Sequence, residues 1–172
     1  MEKLSIKSFA LKYSLWLGGF LIGFGLFFDL MNFPPGSPLI AVFYLAVPFF
    51  IVLALLAYQK ANPRISFKNG FITGLLTSLG SLAYCLYTYV YSKFIDDSYL
   101  QQAITGYRDK LQQEGLTAAE VAAQMQKVEA GFTPERFTLT VIIIFLLLGL
   151  VSALIIAGVF HFRSRKKHET AI

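Results

Sequence analysis

Asp29 is the one carboxylate set inside an apolar stretch of this 172-residue chain, with Asn32 one helical turn beyond it. A carboxylate at that depth can carry a proton, hold a cation, pair with another element or face interfacial water. Both residues stand near the edge of the apolar run, so water-facing is the expected role. Tyr84, Tyr87 and Tyr91 fall at i, i+3 and i+7 and share one helix face. Such rings suit the headgroup zone, apolar body inward and hydroxyl wet; an aromatic ligand strip is the alternative. Asp96 and Asp97 resemble a carboxylate pair, but acids side by side before Ser98 read as helix caps.

Other chemistry finds little support. His161 and His168 stand seven apart with only Glu169 near them, a poor metal site. No Ser in the apolar stretches has a His partner within them, which argues against a nucleophilic protease. The glycines are spaced for helix packing, and no phosphate-cradling loop is present. The single Cys85 cannot form an internal disulfide and reads as a small packing residue. No catalytic residue, metal or cofactor is expected.

The elements that hold these side chains are four apolar stretches, roughly 13–33, 39–58, 69–94 and 137–160. Each is long enough for a hydrocarbon core about 30 Å thick. The last contains 17 Phe, Ile, Leu or Val residues and no charge. At about −0.3 to −0.6 kcal/mol each, these favour insertion by roughly 5–10 kcal/mol. Only 15% of the chain is charged, against about 25% in soluble domains. The expected fold is all-α: a single polytopic membrane domain of four transmembrane helices, with lipid as its solvent.

The net charge of +5 is sorted by side rather than pooled into a nucleic-acid surface. Lys3, Lys7 and Lys12 precede the first stretch, Lys60, Arg64 and Lys68 lie between the second and third, and Arg163, Arg165, Lys166 and Lys167 follow the fourth. Pro34–Pro38 has none, and from Lys93 to Arg136 five Lys/Arg face seven Asp/Glu. Basic residues accumulate on the cytoplasmic side, so both termini are expected there, and the connection 95–136 in the periplasm. The basic tail fixes topology and touches anionic lipid. The start of the chain resembles a signal peptide, but its apolar run is too long and no A-x-A site follows; an uncleaved first span is expected.

Small residues mark the helix contacts. Gly19 and Gly23 form a G-x-x-x-G pair in the first stretch, Gly70, Gly74 and Ser78 repeat the spacing in the third, and Gly149, Ala153 and Ala157 follow it in the fourth. Small residues let helix backbones approach where lipid supplies no hydrophobic drive. Packing within a four-helix bundle is expected, with a homodimer seam on one stripe as the sharper alternative. Pro48 lacks a donor and crowds the carbonyl of Tyr44, which predicts a packing kink; a hinge or cation ligand is the other reading. The third stretch, 26 residues, would rise about 39 Å as one helix, so it is expected to tilt or protrude.

The connection 95–136 reads as a helical hairpin. Leu100, Ile104, Tyr107 and Leu111 line one face, and Gly115 is the stop. Thr117 and Glu120 supply a capping box, Val121, Met125 and Val128 line the second face, Gly131 ends it, and Pro134 opens the last span. So short a hairpin cannot hold a full core alone, so it is expected to rest on lipid, on the span ends or on a partner.

Three local patterns occur in a characteristic order: Phe43-Tyr44-Leu45-Ala46-Val47-Pro48, then Ile65-Ser66-Phe67 leading to Gly70–Gly74, then the aromatic run Tyr87–Ile95 ending in acids. With the hairpin and the span after Pro134, the chain resembles the bacterial membrane family known as domain of unknown function 4199. That resemblance implies a small four-span inner-membrane protein and brings no activity or functional residues. The function expected is a non-catalytic accessory or scaffold protein of the envelope, with a membrane or periplasmic protein partner. A small transporter or channel subunit is the alternative, and a lipid- or glycan-modifying enzyme using Asp29, Asp96 and Asp97 is the third.

Overall fold

The computed structural model describes residues 6–31, 33, 37–63 and 65–169, the side chains at 99, 103, 130 and 165–169 excepted. Lys3, Asn32, Pro34, Arg64 and the side chains of Arg165, Lys166, Lys167, His168 and Glu169, singled out above, lie outside that set. Every element in it is helical: α1 (Ile6–Leu30), α2 (Ile40–Ala61), α3 (Phe67–Ser78), α4 (Ser81–Phe94), α5 (Ser98–Gln113), α6 (Ala118–Gly131) and α7 (Pro134–Glu169). Four segments are long and apolar enough to cross a membrane: Ile6–Leu30, Ile40–Ala61, Phe67–Phe94 and Pro134–Ser164. They form the bundle, and α5 and α6 form the hairpin outside it.

Helix ends overrun the apolar stretches because a helix satisfies its own backbone bonds beyond the hydrocarbon. α1 starts early enough to include Lys7 and Lys12, and it stops at Leu30 rather than Phe33. α7 has 36 residues, about 54 Å at 1.5 Å per residue, so it extends well past a 30 Å core. α2 runs unbroken through Pro48, which is half-buried.

The third span departs from the single helix expected. It is two helices, α3 and α4, joined at Leu79–Gly80 by short-range bonds: Gly80 N–H to Thr77 O (3.1 Å), Leu82 N–H to Leu79 O (3.0 Å) and Ala83 N–H to Gly80 O (3.2 Å). These i→i+3 bonds tighten the turn locally. The cause lies across the interface. A Cβ on Gly80 would collide with the backbone carbonyl of Ser14 in α1, and one on Gly18 would lie 2.9 Å from Gly80 O and 3.2 Å from the Ala83 Cβ. α1 therefore crosses the junction backbone to backbone.

The small stripes of the third and fourth spans pack against each other in antiparallel register. A Cβ on Gly70 would sit 3.3 Å from Ala157, one on Gly74 3.0 Å from Ala153, and one on Gly149 2.5 Å from the Ser78 hydroxyl. Buried Thr73, Thr77, Ser78 and Ser81 each donate to a carbonyl three or four residues back, at 2.7–2.8 Å. Their hydroxyls are satisfied inside the helix, so the faces meet without an unpaired polar group. The stripe of α1 behaves differently from expectation. Gly19 and Gly23 have nothing within 4 Å and face outward; the glycines of α1 that meet other helices are Gly18 and Gly25. Four-residue spacing marks a face but not its direction, and here the neighbouring stripe turns inward.

In the hairpin, Gly115 adopts φ 79°, the left-handed turn that glycine allows. Thr117 and Glu120 form the expected capping box. Leu111, Val121 and Met125 are buried together with Ile104 and Leu116 packed against them. Tyr107, expected on that inner face, is exposed, and Val128 is only half-buried.

Candidate functional site

Asp29, Tyr84, Tyr87 and Tyr91, singled out separately in the sequence, come together at the hairpin end of the bundle. The Tyr87 hydroxyl donates to Asp29 Oδ2 at 2.6 Å, a short charge-assisted bond. Asp29 is half-buried, so it is neither simply water-facing nor paired to the hairpin; its partner is α4. Tyr84 and Tyr87 stack with centroids 6.1 Å apart, and Tyr87 meets Tyr91 at 5.6 Å. The three rings do share one face.

Two other helices complete the wall. Phe43 of α2 lies 4.9 Å from Tyr84, and Phe145 of α7 lies 5.9 Å from it edge-on. Phe28 packs on Phe43 at 5.9 Å. Gly25 makes room: a Cβ there would stand 2.9 Å from the Tyr84 ring and 3.1 Å from the Tyr87 ring. Without that glycine the rings could not reach α1, and the distance from Tyr87 to Asp29 would open.

These groups surround a cavity of about 240 Å³. Its apolar walls are the rings just named with Phe33, Ile40 and Phe137; its polar groups include Asp29, Asp96, Thr88, Ser92 and Thr140. Ser98 and Gln102 of α5 reach it from the hairpin. Asp29 and Asp96 are its only charged groups among the described residues, so its field favours a cation. Asp96 Oδ1 also accepts from the Ser98 amide at 2.8 Å, a local turn just ahead of α5, whose N-cap residue is Asp97. Asp97, grouped with it in the sequence, instead accepts from Gln101 Nε2 at 3.3 Å. The two acids therefore do not act as one pair.

The hairpin root is tied down beside the cavity. Lys93 Nζ donates to Glu135 at 2.7 Å and to the Tyr89 hydroxyl at 2.7 Å, linking the end of α4 to the start of α7. Farther out, Arg108 bonds Glu129 at 3.0 Å and holds α5 to α6. Beyond the bundle, Glu120 is held below the usual carboxylate range by the Thr117 hydroxyl and amide.

The opposite end has a different latch. His161 Nδ1–H donates to the Ile65 carbonyl at 3.2 Å and Ser164 donates to the Pro63 carbonyl at 3.2 Å. His161 thus tethers the loop between α2 and α3. Among the described residues no group of three His, Cys, Asp or Glu side chains could hold a metal ion. Cys85 is buried in the core, as a packing residue would be. Pro48 lines no part of the cavity. Phe145 and Gly25 were not marked as site residues from the sequence, and Phe43 entered only within the Phe43–Pro48 pattern. Phe43 and Phe145 sit in runs of apolar residues, where no pattern separates a cavity wall from a lipid contact.

Four apolar helical spans, a small-residue seam at one end and an aromatic–carboxylate cavity at the other define a multi-pass, all-helical membrane protein. The chain belongs to the family described as Protein of unknown function (DUF4199), which matches residues 12–161 and so reaches from α1 to the His161 tether. No curated protein and no solved structure matches the chain.

Proposed function

We propose that the protein is a non-catalytic accessory or scaffold protein of a bacterial inner membrane, with both termini cytoplasmic and the α5–α6 hairpin presented to an envelope partner in the periplasm. The observation that carries this reading is the hairpin itself. It is ordered by its own buried cluster, by the Thr117–Glu120 capping box and by the Arg108–Glu129 pair, and among the described residues it approaches the bundle near its root, at Ser98 and Gln102. A hairpin of this size gains little stability from so small a core, so a binding role explains its retention better than a folding role. The orientation rests on the positive-inside sorting of Lys and Arg.

Two measurements test it together. Gln113→Cys, in a Cys85→Ser background, should react with a membrane-impermeant maleimide in intact cells; labelling only after lysis overturns the orientation. A photo-crosslinking residue at Tyr107 or Gln126 should give one discrete protein adduct, while the same residue at lipid-facing Leu147 should not. Adducts to lipid alone at all three positions overturn the partner. The cavity favours a second reading, a small transporter or channel subunit. The α3–α7 seam, where Gly74 and Ala153 leave no room for a methyl group, speaks against a continuous path. Solute flux in liposomes above protein-free controls would reverse that preference.

A further inference from the structure

The cavity between α1, α2, α4 and α7 carries an inference that does not depend on a hairpin partner. We propose that it is a binding site for a primary alkylammonium group, anchored by Asp29 and enclosed by the rings of Phe43, Tyr84, Tyr87 and Phe145.

Charge sets the sign of the ligand. Asp29 and Asp96 are the only charged groups in the lining among the described residues, so an anion would meet two like charges and no counter-charge. Asp29 is held ready: Tyr87 fixes one carboxylate oxygen at 2.6 Å, which leaves the other for a ligand N–H. The rings supply the rest. Tilted, stacked and edge-on aromatics whose centroids lie 4.9–6.1 Å apart line the cavity with rings whose faces attract a cation. The hydroxyls of Thr88, Ser92 and Thr140 favour a cation with hydrogens to donate over a quaternary one. Thr88 and Ser92 donate their own protons to backbone carbonyls of α4, so toward the cavity their oxygens act as acceptors.

Size narrows the class. Pockets for drug-sized molecules run about 300–1,000 Å³; 240 Å³ suits a group of headgroup size on a chain that leaves through the open side. Two sources present that chemistry, the ethanolamine headgroup of a lipid and a free alkylamine. Between the ends of membrane-crossing helices, either could enter.

The test uses the full chain in phosphatidylglycerol nanodiscs and isothermal titration. Short-chain phosphatidylethanolamine and n-butylammonium are titrated separately, with short-chain phosphatidylglycerol and n-butanol as controls of matched size. Binding of the amine lipid in preference to butylammonium assigns the headgroup as the source; the reverse assigns a free amine. Asp29→Asn, which keeps the side-chain shape, should weaken whichever binds by about tenfold or more, as loss of a charge-assisted bond implies. The proposal is overturned if neither amine binds, if either control binds as tightly, or if Asp29→Asn folds and binds unchanged. Should that variant fail to fold, Tyr91→Leu at the rim decides: a several-fold loss of affinity supports the site, and unchanged affinity removes it.

Discussion

Gly74 and Gly19 look alike in sequence and should respond in opposite ways to the same substitution. At Gly74 an added Cβ would lie 3.0 Å from the Ala153 Cβ and 3.1 Å from the Ile51 Cγ2. Carbon atoms pack at about 3.5–4.0 Å, so α3 must move off α7 and α2 by roughly half an ångström for one methyl group. Overpacking of this kind costs about 1–3 kcal/mol, and the shift also strains the neighbouring contacts at Gly70 and Gly149. Gly74→Ala should therefore lower the melting temperature by about 2–12 °C, on the scaling of about 2–4 °C per kcal/mol for chains of this length. Gly74→Leu should go further. At Gly19 an added Cβ meets nothing within 4 Å, so Gly19→Leu, growing outward from that open position, should leave the monomer unchanged. The assay is reversible unfolding in mixed micelles, followed by circular dichroism, with monomers verified by light scattering. Equal destabilisation by the two leucines, or none by either, would refute the packing argument. Cysteine crosslinking in membranes adds one more readout. If Gly19→Leu removes a crosslinked dimer while leaving the monomer intact, the outward stripe is a homodimer seam; if no crosslink changes, that stripe faces lipid alone.

Four other outcomes are expected. Tyr87→Phe keeps the ring and removes the bond to Asp29; after discounting for partial exposure it should cost about 1 kcal/mol, and an unchanged unfolding midpoint would show that bond to be idle. Thr117→Ala removes a cap usually worth about 1 kcal/mol, so amide exchange should quicken across Ala118–Gly131 and stay unchanged in α7; uniform change across the chain would argue against a separately stabilised hairpin. The same cap has a pH signature. Glu120 is depressed in the folded state, so its contribution is present above the ordinary carboxylate value and is lost as pH falls through the lowered one. Exchange in α6 should rise on acidification in wild type, and less so in Glu120→Gln. Finally, His161→Phe removes the donor to Ile65 and should speed proteolysis of the loop between α2 and α3, without altering exchange in the hairpin; equal proteolysis would mean that Ser164 alone holds that loop.

The bundle was legible because its signals are local. Continuous apolar runs give spans, four-residue small spacing gives contact faces, and Thr117 with Glu120 gives a cap whatever lies around it. The partner of each face was not legible. Gly70, Gly74 and Ser78 could be read as a stripe, but that they meet Ala157, Ala153 and Gly149 in register depends on how α3 and α7 are aligned. Gly80 escaped notice for a related reason. It has no small residue four positions away to complete a stripe, and what demands it is the backbone of Ser14, 66 positions earlier in the chain. Likewise Asp29 and Tyr87 are 58 residues apart, and nothing in either segment names the other.

The break at Leu79–Gly80 explains why one span builds both a closed end and an open one. In α3 the residues at four-residue spacing are Gly70, Gly74 and Ser78, too small to hold neighbouring helices apart, and α7 comes in until its own small residues touch them. In α4 the repeating residues are Tyr84, Tyr87 and Tyr91, whose rings prop apart α1, α2 and α7. A continuous helix would carry one face straight from seam to cavity. The tightened turn, with α1 pressed against Gly80, lets the two halves turn different faces to α1 and α7, which both of them touch. The cavity and the seam are in this sense one design: volume withheld at Gly74 and Ala153 is volume granted beside Asp29, so enlarging Gly80 should disturb both ends at once.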